Sequence, residues 1–398
     1  MTKRKIVIVT EGFPYWAKEN FLAGEISCLN DNFSFALLPL IMPKDRNLQL
    51  LPDNVQVLSP ILKRNYFFRL LQGIFNLSPI RPFIIDFPNI FKDRKGSVKD
   101  NFIKWITTMV NSRALLASDQ IRRLRKEPNT AIYLYWCNYP VKLFEKFPNR
   151  IFARVHGTEF AKITSDYIPM HIDKLSIADN TLYIPISIQA AEIIYNHTPV
   201  KYKINRLGVF PNQYQKDDNL PSIVRIVSVA YLIPKKRIHL IIEALKLVKD
   251  IEIEWIHFGD GPLWDDINNM SNRLSENIKV KLMGFVSNMD ILKFYNENYV
   301  DLFINVSEIE GVPVSIMEAL SFGIPVFATN VGGTREIVNN ENGQIVASDF
   351  TSEELANFIT NIRNYSSEKN FRKNALLMWE KRSNAEKNYK ELIEILNS

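Results

Sequence analysis

The chain has 398 residues, of which 46% are hydrophobic and 23% are charged, so its composition is that of an ordinary globular protein with two or three domains. It contains no run of about 18 apolar residues, and Cys28 and Cys137 lack the spacing of a metal site or a disulfide framework, which argues against a membrane-spanning helix and for a reducing compartment. The net charge of +6 is uneven, since residues 1–200 carry 26 Lys and Arg against 17 Asp and Glu, a net +9, whereas residues 201–398 carry 23 against 26, a net −3.

The first half of the chain alternates short apolar runs with amphipathic segments. The opening MTKRKIVIVT has the alternation of a strand and lacks the small-residue cleavage site of a signal peptide. Strands that alternate with helices are typical of parallel α/β layers. The predicted strands of this half are at residues 5–10, 33–41, 131–136, 149–157 and 181–187.

Residues 62–75 interleave Lys63, Arg64 and Arg69 with aromatic and aliphatic side chains. A basic helix with an aromatic face lies well in a membrane interface. The alternative is an ordinary helix that faces the core and keeps its cations in water. The positive first half also suggests an anionic neighbour, against the alternative of a well-solvated surface, but nucleic acid is disfavoured because no recognition module accompanies the charge.

The alternation of strands and helices restarts after residue 205 and predicts a second α/β domain. The segment 208–223 is polar with two prolines and fits a linker, and the helix predicted at 384–396 is amphipathic. We therefore predict domains at 1–205 and 206–379, with the C-terminal helix 380–398 completing the first. The predicted strands of the second domain are at residues 225–232, 251–259, 278–286, 301–307, 324–330 and 343–348.

The stretch EIEGVPVSIMEALSFGIPVFATNVGG, residues 308–333, combines two acids with a predicted helix start. Pro313 suits the first turn of a helix, which we predict from Pro313 to Phe322, ending at Gly323. The N–H groups of Val314 and Ser315 then point out of the helix start and form an anion site.

Glu310 and Glu318 lie on either side of this predicted helix start. The carboxylate of Glu318 leans back toward the N-terminus and suits a diol such as a nucleotide ribose. Glu310 follows the strand predicted at 301–307, where open α/β sheets bind their ligands. The alternative is an exposed loop acid and a surface helix acid without a ligand.

The run from Asn305 to Val346 strongly resembles the retaining glycosyltransferases of family 4, which have the GT-B fold. The resemblance is carried by the glutamate pair E-x7-E, by EALSFGIPVFAT and by NVGGTREIV. It implies an α/β protein with two Rossmann-like domains that face each other across a cleft. The resemblance extends to residues 226–245 and 257–267 in the second half and, more loosely, to residues 10–26, 153–160 and 184–194 in the first.

The resemblance assigns roles to individual residues. Glu310 touches the donor sugar near the reacting centre, Glu318 holds the ribose, and Lys236 binds the diphosphate. His156 is placed against the donor sugar, and Gly12 lets the backbone approach the phosphates or the sugar. Without the resemblance, His156 would be a structural histidine and Gly12 a turn residue.

Three basic residues, Lys235, Lys236 and Arg237, follow the strand predicted at 225–232. A fixed cation and helix N–H groups stabilise the charge that grows on a leaving diphosphate. Since no D-x-D metal motif stands in the expected place, we predict that no metal or other cofactor is needed. The chain reads Ala230-Tyr231 where the family often has Gly-Arg, so Lys235 or Arg237 is expected to supply the missing cation. The alternative is a solvated basic turn.

The resemblance implies a hexosyltransferase that moves a sugar from a nucleoside-diphosphate sugar to a hydroxyl of a growing, lipid-linked glycan, with retention of configuration. The expected product is a bacterial cell-surface polysaccharide, such as a capsule, exopolysaccharide or lipopolysaccharide. The expected location is the cytoplasm, in peripheral contact with the anionic inner face of the membrane. The alternatives are a nucleotide-sugar 2-epimerase of the same fold, a glycosidase and a non-catalytic sugar-nucleotide binder.

Overall fold

A computed structural model describes residues 3–15, 21–42, 51–74, 81–92, 97–137, 139–157, 177–212 and 220–398. The chain forms two compact units: unit 1 contains Met1–Asn205 and Tyr389–Ser398, and unit 2 contains Arg206–Asn388. Each unit has one six-stranded sheet in which every neighbouring pair of strands is parallel. Parts of four predicted features lie outside the described residues, namely the linker at 208–223, the basic and aromatic run at 62–75, and the motif stretches at 10–26 and 153–160.

Unit 1 is built on a sheet with the strand order β3-β2-β1-β4-β5-β6. Its strands are β1 (Arg4–Thr10), β2 (Phe33–Pro39), β3 (Gln56–Val57), β4 (Ala131–Leu134), β5 (Ile151–Val155) and β6 (Thr181–Pro185). Its helices are α1 (Phe21–Leu29), α2 (Tyr66–Ile74), α3 (Arg81–Asp86), α4 (Asn89–Lys92), α5 (Val98–Ala117), α6 (Asp119–Arg125), α7 (Tyr139–Phe144) and α8 (Ile188–His197).

Unit 2 repeats this arrangement with the strand order β12-β11-β10-β7-β8-β9. Its strands are β7 (Val224–Val229), β8 (Ile253–Phe258), β9 (Ile278–Leu282), β10 (Leu302–Asn305), β11 (Val326–Thr329) and β12 (Gly343–Val346). Its helices are α9 (His239–Leu245), α10 (Trp264–Ser271), α11 (Asn288–Glu297), α12 (Val314–Ser321), α13 (Ser352–Glu368) and α14 (Phe371–Arg382), and α15 (Ala385–Asn397) follows.

The apolar runs of the sequence form the central strands of each sheet, where their side chains are buried. All residues of β4, β5, β8, β10 and β11 are buried, as expected for parallel strands covered by helices on both faces. The core of unit 2 packs Trp255 with aliphatic side chains of α9 and α13. The described residues contain each of the eleven predicted strands, and β3 is an addition.

The order of strands in unit 2 places a crevice beside β7. The chain runs from β7 to β8 on one side, and β10 joins β7 on the other. Open α/β sheets bind ligands at such a switch point, outside the carboxyl ends of the strands. The loops after β7 and β10 therefore occupy the favoured position for a ligand. Among the described residues, no helix combines the length and the apolar character that crossing a bilayer requires.

Candidate functional site

The loops after β7 and β10 carry most of the predicted site residues of unit 2. Lys235 and Lys236 belong to a short 3-10 helix, Pro234–Lys236, that follows β7, and Glu310 lies in the loop between β10 and α12. The backbone N–H of Glu308 donates to the carbonyl of Lys235 over 2.8 Å. This bond joins the two loops at the carboxyl edge of the sheet.

Lys236 and Glu310 form an ion pair. The Nζ of Lys236 donates to Oε1 of Glu310 over 2.6 Å, and both side chains are largely buried. The amide of Asn305, the last residue of β10, donates to the same oxygen over 3.3 Å. The structure thus brings together the two residues expected to contact the diphosphate and the sugar. A bound diphosphate would compete with Glu310 for the ammonium group of Lys236.

Glu318 lies inside α12 and is 7% exposed. The Nδ2 of Asn288, the first residue of α11, donates to Oε1 of Glu318 over 2.6 Å. Burial raises the pKa of Glu318 to about 7, and the hydrogen bond from Asn288 opposes this rise. The alternative of a surface helix acid is therefore excluded, because the side chain is buried, and burying a carboxylate is costly without a partner. Its contact with a ribose stays a prediction.

Helix α12 begins one residue later than predicted, and Pro313 is its N-cap. Pro313 has an extended backbone, with φ −71° and ψ 116°, and its carbonyl accepts from the N–H groups of Ile316 and Met317. No side chain caps this helix, so the N–H groups of Val314 and Ser315 have no partner within it. These two donors lie in the first turn of α12, which follows the loop that holds Glu310, as an anion site requires.

The two glycines of the N-V-G-G turn hold the loop of Glu310 in place. Gly332 has φ +57°, and a Cβ atom there would lie 2.0 Å from the carbonyl oxygen of Glu310. The N–H of Gly333 donates to the carbonyl of Gly311. Only glycine permits this approach of the turn to the loop.

We expect Gly332→Ala to lower the free energy of unfolding by about 2 to 4 kcal/mol, because it adds a clash with the Glu310 loop to the strain of a left-handed backbone. Gly284→Ala is the matched control, since Gly284 has φ +65° but its nearest heavy atom, on Trp264, is 3.9 Å away. The control should lose only about 1 kcal/mol. Urea unfolding measures both variants, and equal losses would contradict the close approach.

A second glycine pair lies against the loop after β7. A Cβ atom on Gly259 would lie 1.8 Å from the carbonyl oxygen of Ala230, and one on Gly261 would lie 2.6 Å from that of Leu232. The turn G-D-G-P therefore supports the loop that leads to Lys236. Tyr231, which stands where the resembling family often has arginine, is 58% exposed beside this turn.

Arg237 has a left-handed backbone, with φ 49°. Its guanidinium donates to the backbone carbonyls of Val306 and Ser348, over 2.8 and 2.6 Å. These bonds tie the loop after β7 to the loops after β10 and β12. They give Arg237 a structural task, and its direct contact with a donor stays a prediction, as does that of the exposed Lys235.

In unit 1, His156 directly follows β5 and is buried. Its Nε2 lies 3.0 Å from the carbonyl oxygen of Tyr135, to which it donates, and its ring packs against Trp136. Burial lowers the pKa of His156 to about 3, and the nearby charge of Arg154 adds to this effect. The imidazole is therefore neutral at physiological pH, so its expected contact with a sugar would be that of a neutral hydrogen-bonding group.

Gly12 follows β1 at the same carboxyl edge of the unit 1 sheet. It is buried, and its carbonyl accepts from the N–H of Tyr15 over 3.0 Å. The structure thus makes Gly12 part of a turn, as expected without the resemblance. Its approach to a ligand stays a prediction.

A cavity of about 640 Å³ lies at the other edge of the unit 2 sheet, where β10 begins. Asp301 and Arg363 form an ion pair of 2.7 Å in its wall, and Arg372 stacks on Tyr299. None of the predicted site residues lines this cavity. We therefore base the candidate site on the carboxyl edge, where the charged groups converge.

Residues of unit 2 are similar in sequence to known glycosyltransferases. Residues 214–378, less than half of the chain, match the family model of glycosyl transferases group 1. The amylovoran biosynthesis glycosyltransferase AmsK of Erwinia amylovora is 29% identical over 191 residues, which are 45% of this chain and 46% of that protein. The putative colanic acid biosynthesis glycosyltransferase WcaL of Escherichia coli strain K12 is 28% identical over 204 residues, 48% of this chain and 50% of that protein. The chain spans about half the length of these relatives.

Structural comparison covers both units. The structure of Anabaena HepE in complex with UDP and glucose superposes with a TM-score of 0.65 at 16% identity, over 99% of each chain. The chain has the GT-B fold. Its predicted α/β class with two Rossmann-like domains is thereby confirmed.

Two asparagines beside the predicted glutamates of this GT-B protein were not among the predicted site residues. Asn288 and Asn305 each donate to one of the two predicted glutamates. A signal for Asn305 was present, since it is a polar residue near the end of the strand predicted at 301–307, which precedes Glu310. Asn288 lies 30 residues from its partner and follows another strand, so only the tertiary structure brings it to Glu318.

Proposed function

We propose that the chain is a retaining glycosyltransferase of family 4 that moves a sugar from a nucleoside-diphosphate sugar to a hydroxyl of a growing glycan. The observation that carries the proposal is the ion pair of Lys236 and Glu310 beside the uncapped start of α12. This arrangement lies within the segment that matches the glycosyl transferases group 1 model. HepE, with the same fold, has been crystallised with UDP and with glucose.

In the proposed complex, each group at the carboxyl edge of unit 2 has one task. Lys236 and the N–H groups of Val314 and Ser315 bind the diphosphate, and Glu310 contacts the sugar. As the bond between sugar and phosphate lengthens, negative charge grows on the leaving oxygen. A fixed cation and preorganised N–H dipoles stabilise that charge more than they stabilise the bound donor. Glu318 accepts hydrogen bonds from the ribose diol.

The proposed acceptor is a lipid-linked glycan of a cell-surface polysaccharide. The names of AmsK and WcaL, which refer to amylovoran and colanic acid biosynthesis, support this class of product. A donor screen identifies the sugar and the base.

A thermal-shift screen of the whole chain against UDP-glucose, GDP-mannose and ADP-glucose tests the proposal. Ligands that bind only the folded state raise its melting temperature. We expect one nucleotide class to raise it strongly. Incubation of the donor with and without a glycan acceptor then separates transfer from 2-epimerisation, which needs no acceptor, and from binding without turnover. No shift with any of the three donors would contradict the proposal.

We expect transfer to be independent of divalent metal, because Lys236 and the start of α12 supply the positive charge. Among the described residues, no three His, Cys, Asp or Glu side chains are grouped as a metal site. The transfer rate should be the same with and without EDTA. Loss of transfer in EDTA and its recovery with Mg²⁺ would show that the lysine does not replace a metal.

We also propose that α2 to α5 of unit 1 rest on an anionic bilayer. Residues 62–104 carry nine Lys and Arg against three Asp, a net +6. Phe67 and Phe68 on α2 are 62% and 57% exposed, so they do not face the core as the alternative interpretation required. Other large apolar side chains exposed on this surface are Ile84, Ile85, Phe87, Phe91, Val98, Phe102 and Ile103.

The combination of charge and exposed aromatic rings suits an anionic membrane surface. Phe87 and Phe102 both contact the ring of Trp105, so the apolar groups of α5 and of the turn after α3 adjoin. Aromatic and aliphatic side chains enter the headgroup boundary, and each nearby Lys or Arg contributes about 1 kcal/mol on an anionic surface. Salt screens this attraction within about 10 Å at 0.1 M.

We expect the protein to sediment with vesicles that contain phosphatidylserine at low salt, less at high salt, and less with neutral vesicles. Changing Arg64, Phe67, Phe68 and Arg69 to Ser should reduce binding. Leu247→Ser with Leu377→Ser, which alter exposed side chains of unit 2, is the matched control. If neither vesicle charge nor these changes alter sedimentation, the proposed membrane contact is wrong and a soluble acceptor is favoured.

A further inference from the structure

We propose that Asn288 is a positioning residue for nucleotide binding: its side-chain amide holds one oxygen of the Glu318 carboxylate and directs the other oxygen toward the ribose diol of the donor. The inference rests on the proposed function, because it assumes that Glu318 meets a ribose. It concerns a residue that the motif of the resembling family does not include.

The geometry supports a positioning role more than a stabilising one. Asn288 itself is exposed, whereas Glu318 is 7% exposed, and their hydrogen bond of 2.6 Å is short for an amide donor. Within the described part of the chain, Asn288 is the one side chain that hydrogen-bonds this carboxylate. An exposed side chain that reaches a buried acid contributes little to the core, but it fixes where that acid points.

The start of α11 holds Asn288 in place. The hydroxyl oxygen of Ser287, the N-cap, accepts from the N–H of Asp290 over 3.2 Å, and the hydroxyl donates to the Asp290 carboxylate over 2.6 Å. This capped start fixes the backbone of Asn288. Its side chain therefore reaches Glu318 with little freedom to lose when a ligand binds.

Among the described groups around Glu318, Asn288 has the main influence on the position and the pKa of its carboxyl group. Tyr295 lies seven residues further along α11 on the same face, and its pKa is raised well above the usual range, first by burial and then by the charge of Glu318. On α14, the backbone of Arg372 and the side chain of Leu376 lie near Gly323, just beyond the other end of α12. Asn212 donates to Ser321 and does not titrate. The described neighbours therefore place no cation against the carboxylate.

The hydrogen bond from Asn288 orients the Glu318 carboxylate and also favours its ionised form. A diol donates to a carboxylate, so nucleotide binding favours the ionised form of Glu318. Burial raises the pKa of Glu318 to about 7 even with Asn288 present. Affinity should therefore be full above that pH and should fall by up to about tenfold for each pH unit below it. Without Asn288, the pKa rises and the fall begins at a higher pH.

The test is calorimetric titration of the whole chain with the nucleotide sugar that binds best among UDP-glucose, GDP-mannose and ADP-glucose, from about pH 5.5 to about pH 8.5. A nucleotide sugar is suitable because its diphosphate diester does not titrate in this range. We expect Asn288→Ala to bind about tenfold more weakly near pH 7 and to recover most of the loss at the alkaline end. Asn288→Asp, which sets a second carboxylate against Glu318, should lose more and recover less.

Two controls separate the possible outcomes. Glu318→Gln should have a pH-independent affinity, and Asn296→Ala, an exposed asparagine on the same helix, should behave as the wild type. A loss in Asn288→Ala that is equal at every pH, or unchanged or tighter binding in that variant, would overturn the inference alone. A wild type that binds none of the three donors at any pH would overturn the proposed function and the inference with it.

Discussion

Glu310→Gln should abolish transfer while nucleotide binding persists. The substitution keeps the shape of the side chain but removes the carboxylate charge that faces the proposed sugar position, so we expect the transfer rate to fall by at least about a hundredfold. The affinity for the nucleoside diphosphate should be kept or should rise, because Glu310 does not contact the nucleotide in the proposed complex and its carboxylate competes with the diphosphate for Lys236. Transfer assays and calorimetric titration of the same protein measure the two effects.

Glu308→Gln is the matched control, because Glu308 is an exposed acid in the same loop. It should transfer as the wild type does. Glu318→Gln should show the opposite pattern from Glu310→Gln, with weak nucleotide binding as its main defect. If the Glu310 and Glu318 variants have equal and small effects, neither glutamate serves a ligand and both are structural.

Lys236→Met should reduce transfer by about a hundredfold to a thousandfold, since it removes the fixed cation that opposes the charge of the leaving diphosphate. The expected loss in the free energy of unfolding is about 1 to 3 kcal/mol, because the Glu310 carboxylate is largely buried but keeps the hydrogen bond from Asn305. Transfer assays and urea unfolding provide both numbers. A large loss of stability with a matching loss of folded protein would mean that the ion pair of Lys236 and Glu310 serves the fold.

Lys249→Met, which alters an exposed lysine of the same unit, is the control for the loss of one positive charge. Lys235→Met addresses the departure at Tyr231, where the family often has arginine. If Lys235 supplies the missing cation, its variant should also lose transfer, though less than Lys236→Met. A Lys235 variant with full activity would show that the proposed transfer needs only one cation at this position.

The sequence predicted most of the fold because buried parallel strands leave a strong pattern. β10 and β11 are wholly buried, and their apolar runs end in polar or glycine-containing loops. β3 was missed because its two residues, Gln56 and Val57, are too few to form a pattern. The start of α12 was predicted one residue early, since Pro313 fits both the N-cap and the first helical turn.

The sequence predicted the site residues that lie within one loop. It did not predict contacts between residues that are distant in the sequence. Glu310 and the helix start lie within one short stretch, so the parallel topology alone placed them at the carboxyl edge. The hydrogen bond of Asn288 with Glu318 joins the start of α11 to α12 across 30 residues of sequence, and no local sequence pattern predicts it. The role of Arg237 could not be predicted for the same reason. Its left-handed backbone and the hydrogen bonds of its guanidinium to the loops after β10 and β12 depend on the tertiary structure.

Hydrogen–deuterium exchange of the whole chain, with and without a saturating nucleotide sugar, tests most directly whether the carboxyl edge of unit 2 binds the donor. We predict slower exchange of backbone amides at 230–237 and at 309–318, where the loops after β7 and β10 and the N–H groups of Val314 and Ser315 lie. Lys236→Met should weaken this protection, and Lys249→Met should not. Protection confined to other segments, such as those around Asp301, Arg363 and Arg372 at the opposite edge of the sheet, would contradict the account.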